Sequence, residues 1–266
     1  RVRAQVLSGL AFDAKDPNEI AAKTFASMAY GEPPYGTVDT GTPESVAALT
    51  RDDLLEAHSN VLVRDRVLVG AVGDITPEQL GALLDAVLGD LPESGPMLPP
   101  MVEPQITGGT TVVEFDTPQA VALFGQRGIG VGDDDYFAAV LLNQIIGGGS
   151  FESRLMQEVR EKRGLTYGVY SYLYSRDLAN AYMGSVSSAN DRIAEAITVI
   201  RDQWRLAAEE GVTAEELDAA KTYLTGAYPL RFDGNSTIAG ILVGMQLIGL
   251  EPDYVKTRND RVESVT

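Results

Sequence analysis

Residues 147–170 read GGGSFESRLMQEVREKRGLTYGVY, and both the fold and the candidate site follow from this stretch. Phe151, Leu155 and Val159 recur at i, i+4 and i+8, the spacing of one apolar face of a short helix, and Gly164 supplies the left-handed residue that ends it. Aromatic and β-branched residues come next. A strand is therefore expected from Thr166 to Tyr174, pairing antiparallel with a second from Ala181 to Ser187. On this scheme Arg160 stands near the helix end and Tyr167 just inside the strand, so that two polar tips converge beside a strand edge. Guanidinium and phenol are both hydrogen-bond donors, which is what the carbonyl groups of an extended peptide require. Without their surroundings, the same residues read as a surface arginine and a half-buried strand tyrosine.

Outward from this stretch, helices and strands mix. Asp134 to Ile146 reads as a helix leading into the Gly147–Gly149 turn. Asp133, Asp134 and Asp135 form its solvated N-terminus, where anions complement the dipole; they lack the alternating oxygen ligands of a calcium loop. Thr111 to Phe115 and Ala120 to Gly125 are further strand candidates. Downstream, Ile193, Ile197, Ile200 and Trp204 trace the buried stripe of a long helix, and Thr213 with Glu216 caps another running to Ala227. Toward the start, Asp16 and Pro17 open a helix through Tyr30, with Ile20, Phe25 and Met28 on one side and Gly31 after it. Thr50 and Asp53 begin the next, Arg66 to Val72 reads as a strand, and Thr76, Pro77 and Gln79 start a helix ending near Gly89. Strands in hairpins with helices grouped after them give an α+β class, in which helices pack on one face of a mainly antiparallel sheet.

Leu91 to Ile106, LPESGPMLPPMVEPQI, replaces periodic pattern with prolines and polar residues and reads as a linker. The expected division is residues 1–92, a linker over 93–106, and a second domain over 107–266. A weak internal repeat agrees: VLSGL, a helix, Gly31 and Tyr35 parallel YLTGA, a helix, Gly249 and Tyr254, with Gly9 and Gly226 in register.

Composition narrows the function. The chain of 266 residues is 44% hydrophobic, enough for two cores, and contains no apolar run long enough to cross a bilayer. It has no cysteine, which removes disulfides, thiol catalysis and thiolate metal sites. A net charge of −17 argues against nucleic acid and anionic membranes, and favours basic peptides or basic partner faces. The three glycines are not a phosphate loop, because no GK[ST] follows; they suit a backbone passing close to a ligand or a neighbouring helix. Ser150 and Ser153 have no histidine near them in sequence, and the single histidine, His58, reads as a helix-end residue.

The GGG, SRL and EKRGLTY elements, with EPPYG, GTPESVAALTRDDLLEAH and VTAEELDAAKTYLTG elsewhere, resemble the M16 metallopeptidase family of pitrilysin, insulin-degrading enzyme and mitochondrial processing peptidase. The likeness extends over essentially the whole chain and implies tandem M16-type α+β domains, truncated here at both ends. By this resemblance Arg160 and Tyr167 would bind the carbonyl groups of a peptide, in the half of the molecule that holds no zinc, and Gly147, Gly148 and Gly149 would line the same site. The family's active members carry HxxEH, which one histidine cannot supply. Their third zinc ligand follows the pattern RxxVLxE; here Arg3, Val6 and Leu7 are followed by Gly9 at the ligand position, and Val2 stands where a supporting glutamate would be.

The resemblance therefore implies a chain inactive alone and without a cofactor: the substrate-binding subunit of a heterodimeric M16B-type peptidase, whose HxxEH-bearing partner would carry the zinc. The alternative is a scaffold like the core subunits of respiratory complexes. A complete one-chain protease is disfavoured by Gly9. Exported relatives of this type favour a periplasm over the cytosol.

Overall fold

The computed structural model describes residues 1–31, 34–37, 39–176 and 179–266. In chain order the helices are α1 (Val2–Asp13), α2 (Pro17–Tyr30), α3 (Pro43–Ala48), α4 (Arg51–Val61), α5 (Pro77–Leu88), α6 (Tyr136–Ile146), α7 (Ile193–Glu210), α8 (Ala214–Ala227), α9 (Asn235–Leu247) and α10 (Tyr254–Glu263). The strands are β1 (Gln119–Arg127), β2 (Val169–Arg176) and β3 (Ala179–Ala189). Contacts group the chain into two units: Arg1–Ala47 with Pro100–Thr222 and Val265–Thr266, and Ala48–Pro99 with Tyr223–Ser264. Of the EPPYG element, Glu32 and Pro33 lie outside the described residues.

The helix starts follow their sequence signals. Asp16 accepts the Asn18 amide at 2.8 Å ahead of Pro17. Thr50 with Asp53, and Thr76 with Gln79, form reciprocal capping boxes, each satisfying two amides that have no intrahelical partner. Thr213 and Glu216 bond to each other's amides in the same way at 2.8 and 3.2 Å. Gly31 and Gly249, equivalent in the internal repeat, both take the left-handed conformation after their helices, at φ 66° and 71°.

In the first unit the strands run antiparallel in the order β1-β3-β2, with Phe124 opposite Gly184 and Val169 opposite Val186. Since residues directly opposite share a face, Ala122, Phe124, Val169 and Val186 all point to one side. There they meet Ile146 of α6, Leu155, Met156 and Val159 of the connecting segment, and Ala196 and Ile200 of α7, in a single apolar cluster with Trp204 packed on it. Toward the other face, Phe25 of α2 comes against Gly125 of β1, where a Cβ would stand 2.9 Å from the ring. The covered stripe of α2 is Phe25, Ala26, Ala29 and Tyr30. Met28, expected to face inward, is 53% exposed, because it lies outside that stripe, beyond the Phe25 edge.

Two expected strands are absent. Thr111–Phe115 forms no ladder, and Val112 is 79% exposed; β-branched residues give a strand only where a neighbouring backbone accepts their hydrogen bonds. Arg66–Val72 begins in a 3₁₀ turn, Arg64–Arg66, and continues without helix or strand. It lies instead against a helix of its own unit: a Cβ on Gly70 would stand 2.6 Å from the Ala239 carbonyl oxygen of α9, and the Gln246 amide donates to the Val69 carbonyl at 3.0 Å. Among the described residues the second unit therefore consists of helices and connecting chain.

Candidate peptide-binding site

The predicted helix across 151–163 is a π-helical turn, Met156–Glu161, in which the Lys162 amide returns five residues to the Gln157 carbonyl at 2.9 Å. Leu155, Met156 and Val159 are its buried side, in keeping with the apolar spacing, whereas Phe151 is 59% exposed. Gly164, at φ 57°, ends the turn as expected; its amide bonds the Arg160 carbonyl at 2.7 Å and the Leu165 amide bonds that of Val159 at 2.9 Å. Arg160 is thus fixed in backbone. Its guanidinium lies 4.6 Å from the centre of the Phe151 ring and its Nε 3.4 Å from Glu161 Oε1. Ring and carboxylate together restrict the side chain while leaving about a third of it in solvent.

Tyr167 does not sit inside the strand. β2 begins at Val169, and Tyr167 occupies the bend before it, 87% exposed, with no hydrogen-bond partner for its phenol among the described residues. The bend is nevertheless held. The Thr166 hydroxyl accepts the Gly168 amide at 3.0 Å and lies 2.6 Å from the Ser187 carbonyl oxygen of β3, to which it donates. Strand pairing starts later than the sequence suggests because the Thr166 hydroxyl stands between the Gly168 amide and the Ser187 carbonyl of β3, which a ladder would otherwise join directly.

The glycine turn is shaped by close packing. The Gly147 carbonyl accepts the Ser171 amide of β2 at 2.8 Å, and a Cβ on Gly147 would run into the Ser171 hydroxyl and stand 2.9 Å from Leu155 Cδ1. A Cβ on Gly148 would lie 2.7 Å from Gln144 Cα, and Gly149 is left-handed at φ 86°. The expected close approach is made here by the protein's own strand and helix.

Tyr170 joins these parts, and sequence reasoning passed over it. Its ring approaches to 3.8 Å of where a Gly149 Cβ would be, its hydroxyl stands against Gly168, and the side chain is still 46% exposed. The alternation of the strand was the available signal, since Tyr170 lies on the sheet face opposite the apolar cluster. Arg154 was also missed: its Nε and Nη2 donate to the two Glu216 carboxylate oxygens, both at 2.6 Å, and Nη2 reaches the Gly211 carbonyl at 3.2 Å. This bidentate pair, which holds the Glu216 carboxyl below the ordinary carboxylate range, ties the segment carrying Arg160 to the start of α8.

No metal site is built here. Gly9 lies in α1 with open space where a side chain would be, and His58 is exposed in the last turn of α4. Among the described residues no three His, Cys, Asp or Glu side chains come together closely enough to hold an ion, so the donor set does not fit zinc.

The family profile described as the Peptidase M16 inactive domain matches residues 48–224. The chain belongs to the M16 peptidase family. Among its relatives is an uncharacterized zinc protease of Mycobacterium tuberculosis, 31% identical over 239 residues, 88% of this chain and 54% of that protein. A Helicobacter pylori protein described as a non-peptidase homolog is 25% identical, covering 100% of this chain and 62% of that one. The crystal structure of a peptidase M16 inactive domain from Pseudomonas fluorescens superposes with a TM-score of 0.87 at 28% identity, over 100% of this chain and 63% of that one. The chain thus spans a little over half the length of these relatives, and no helix among its described residues is long and apolar enough to cross a membrane.

Proposed function

We propose that this M16 chain is the non-catalytic, substrate-binding member of a two-subunit peptidase, in which a separate HxxEH-bearing subunit supplies zinc and cuts. The observation that supports this most is the grouping at the head of β2. Arg160 is steadied over Phe151 just after the glycine turn, and Tyr170 bridges that turn to a pinned bend whose tyrosine is presented to solvent. A scaffold gains nothing from a phenol held out in this way, whereas an extended peptide offers carbonyl oxygens to both donors. The family's inactive-domain description and the glycine at the third-ligand position agree with this reading.

The test mixes the chain with its HxxEH-bearing partner and follows peptide turnover. Arg160→Ala is expected to lower kcat/KM by about tenfold and Tyr167→Phe by about fivefold, the loss of a charge-assisted and of a neutral hydrogen bond respectively. A scaffolding role predicts that both variants assemble and turn over at the wild-type rate, and that result would reject the proposal.

A further inference from the structure

We propose that the open face of β2 is a cation-recognising subsite, in which Tyr170 and Tyr172 receive an arginine or lysine side chain of the bound peptide. This inference rests on the peptide-binding reading above and names the substrate class. Tyr170, Tyr172, Tyr174 and Arg176 occupy alternate positions of β2 and so line one face of the strand, spaced about 7 Å apart. The far end of that row already holds a cation. The Arg176 guanidinium lies 4.6 Å from the centre of the Tyr174 ring and 4.5 Å from that of Tyr35, and it also donates to the Tyr174 hydroxyl.

Tyr172 meets Tyr174 edge-on at 6.0 Å, so the rings continue from the filled position toward the glycine turn. There Tyr172 is 39% and Tyr170 46% exposed. The row thus repeats, in accessible form, the aromatic surroundings that its far end uses for Arg176. A π-face attracts a cation whatever backbone carries it. The net charge of −17 adds a long-range pull on basic peptides and none on acidic ones. A peptide whose carbonyl groups meet Arg160 and Tyr167 at the head of β2 would have side chains within reach of Tyr170.

The decisive measurement is the affinity of the whole chain, at low salt, for an extended ten-residue Val/Thr peptide carrying arginine at two alternate positions. The control is the same peptide with citrulline, which keeps the shape and loses the charge. The arginine peptide is expected to bind about five- to tenfold tighter. Tyr170→Leu and Tyr172→Leu should each remove about two- to fivefold of that preference, Tyr172→Leu while leaving the citrulline affinity in place, and Tyr170→Phe should keep the preference because the ring remains. Equal binding of the two peptides, or equal loss of both in the leucine variants, would overturn the subsite while leaving peptide binding intact. Failure of both peptides to bind would overturn the subsite together with the reading on which it rests. A concentration-dependent dimer broken by Tyr170→Leu would overturn it in favour of a second copy of the chain on this face.

Discussion

Replacing Arg154 by methionine should loosen the segment that carries the candidate site. The substitution keeps the length of the unbranched stem and removes two 2.6 Å charge-assisted bonds to Glu216, along with the bond to the Gly211 carbonyl. Each bond to a charged partner is worth about 1.5–3 kcal/mol when shielded, but the two side chains are 18% and 30% exposed, so solvent recovers part of that. The Glu216 carboxylate also keeps its bond from the Thr213 amide. The net loss comes to about 2–3 kcal/mol. The single tryptophan, Trp204, reports on this core directly, since its ring lies 5.2 Å from that of Phe124 and 5.4 Å from that of Tyr182. With a urea slope of about 2–3 kcal/mol/M, the midpoint of its fluorescence transition should fall by about 1 M.

Acidity supplies the control. Glu216 has its folded pKa lowered, first by the bond from Arg154, so the pair stabilises fully above the unfolded glutamate value of about 4.3 and fades as pH falls through the lower folded value. The gap between wild type and Arg154→Met should therefore be constant from pH 7 to about pH 5 and narrow below about pH 4. A midpoint that does not move at pH 7, or a gap that widens in acid, would refute the reasoning.

Gly147→Ala should lower the melting temperature by several degrees, the cost of about 1–3 kcal/mol for forcing a methyl group between Ser171 and Leu155, whereas Gly9→Ala in α1 should be neutral or stabilising by up to about 1 kcal/mol. Tyr167→Phe should leave thermal stability unchanged while weakening peptide binding, because its ring is 87% exposed; a clear drop in melting temperature would mean that the phenol is structural. Elemental analysis of the purified chain should find no stoichiometric zinc, and Gly9→Glu should not create a site, since one histidine remains the only imidazole; one zinc per chain in either protein would contradict this.

Local chemistry was the legible part of the sequence. Thr50, Thr76 and Thr213 announced their helices because a cap is settled within four residues, and Gly164 announced the end of the π-helical turn in the same way. The β2–β3 hairpin and the α7 stripe were equally readable, since alternation and helical period are properties of one segment. What failed depended on distant partners. Arg66–Val72 and Thr111–Phe115 have the composition of strands, but a ladder needs a second backbone, and neither has one among the described residues. Tyr167 fell outside its strand through the bond from Thr166 to β3, 21 residues away in sequence. Arg154 gave no sign of its carboxylate partner 62 residues on, and Tyr170 looked like any strand tyrosine until its neighbours proved to be glycines.

The bond from the Ser171 amide to the Gly147 carbonyl also bears on aggregation. It points away from β3, so it occupies the third of eight positions on what would otherwise be a free flank of β2, the outer strand among the described residues. Such flanks are where identical molecules zip together and seed fibrils, and a bond already made to one shortens the run left to template another chain. The glycine whose missing side chain admits this contact therefore helps to blunt that edge.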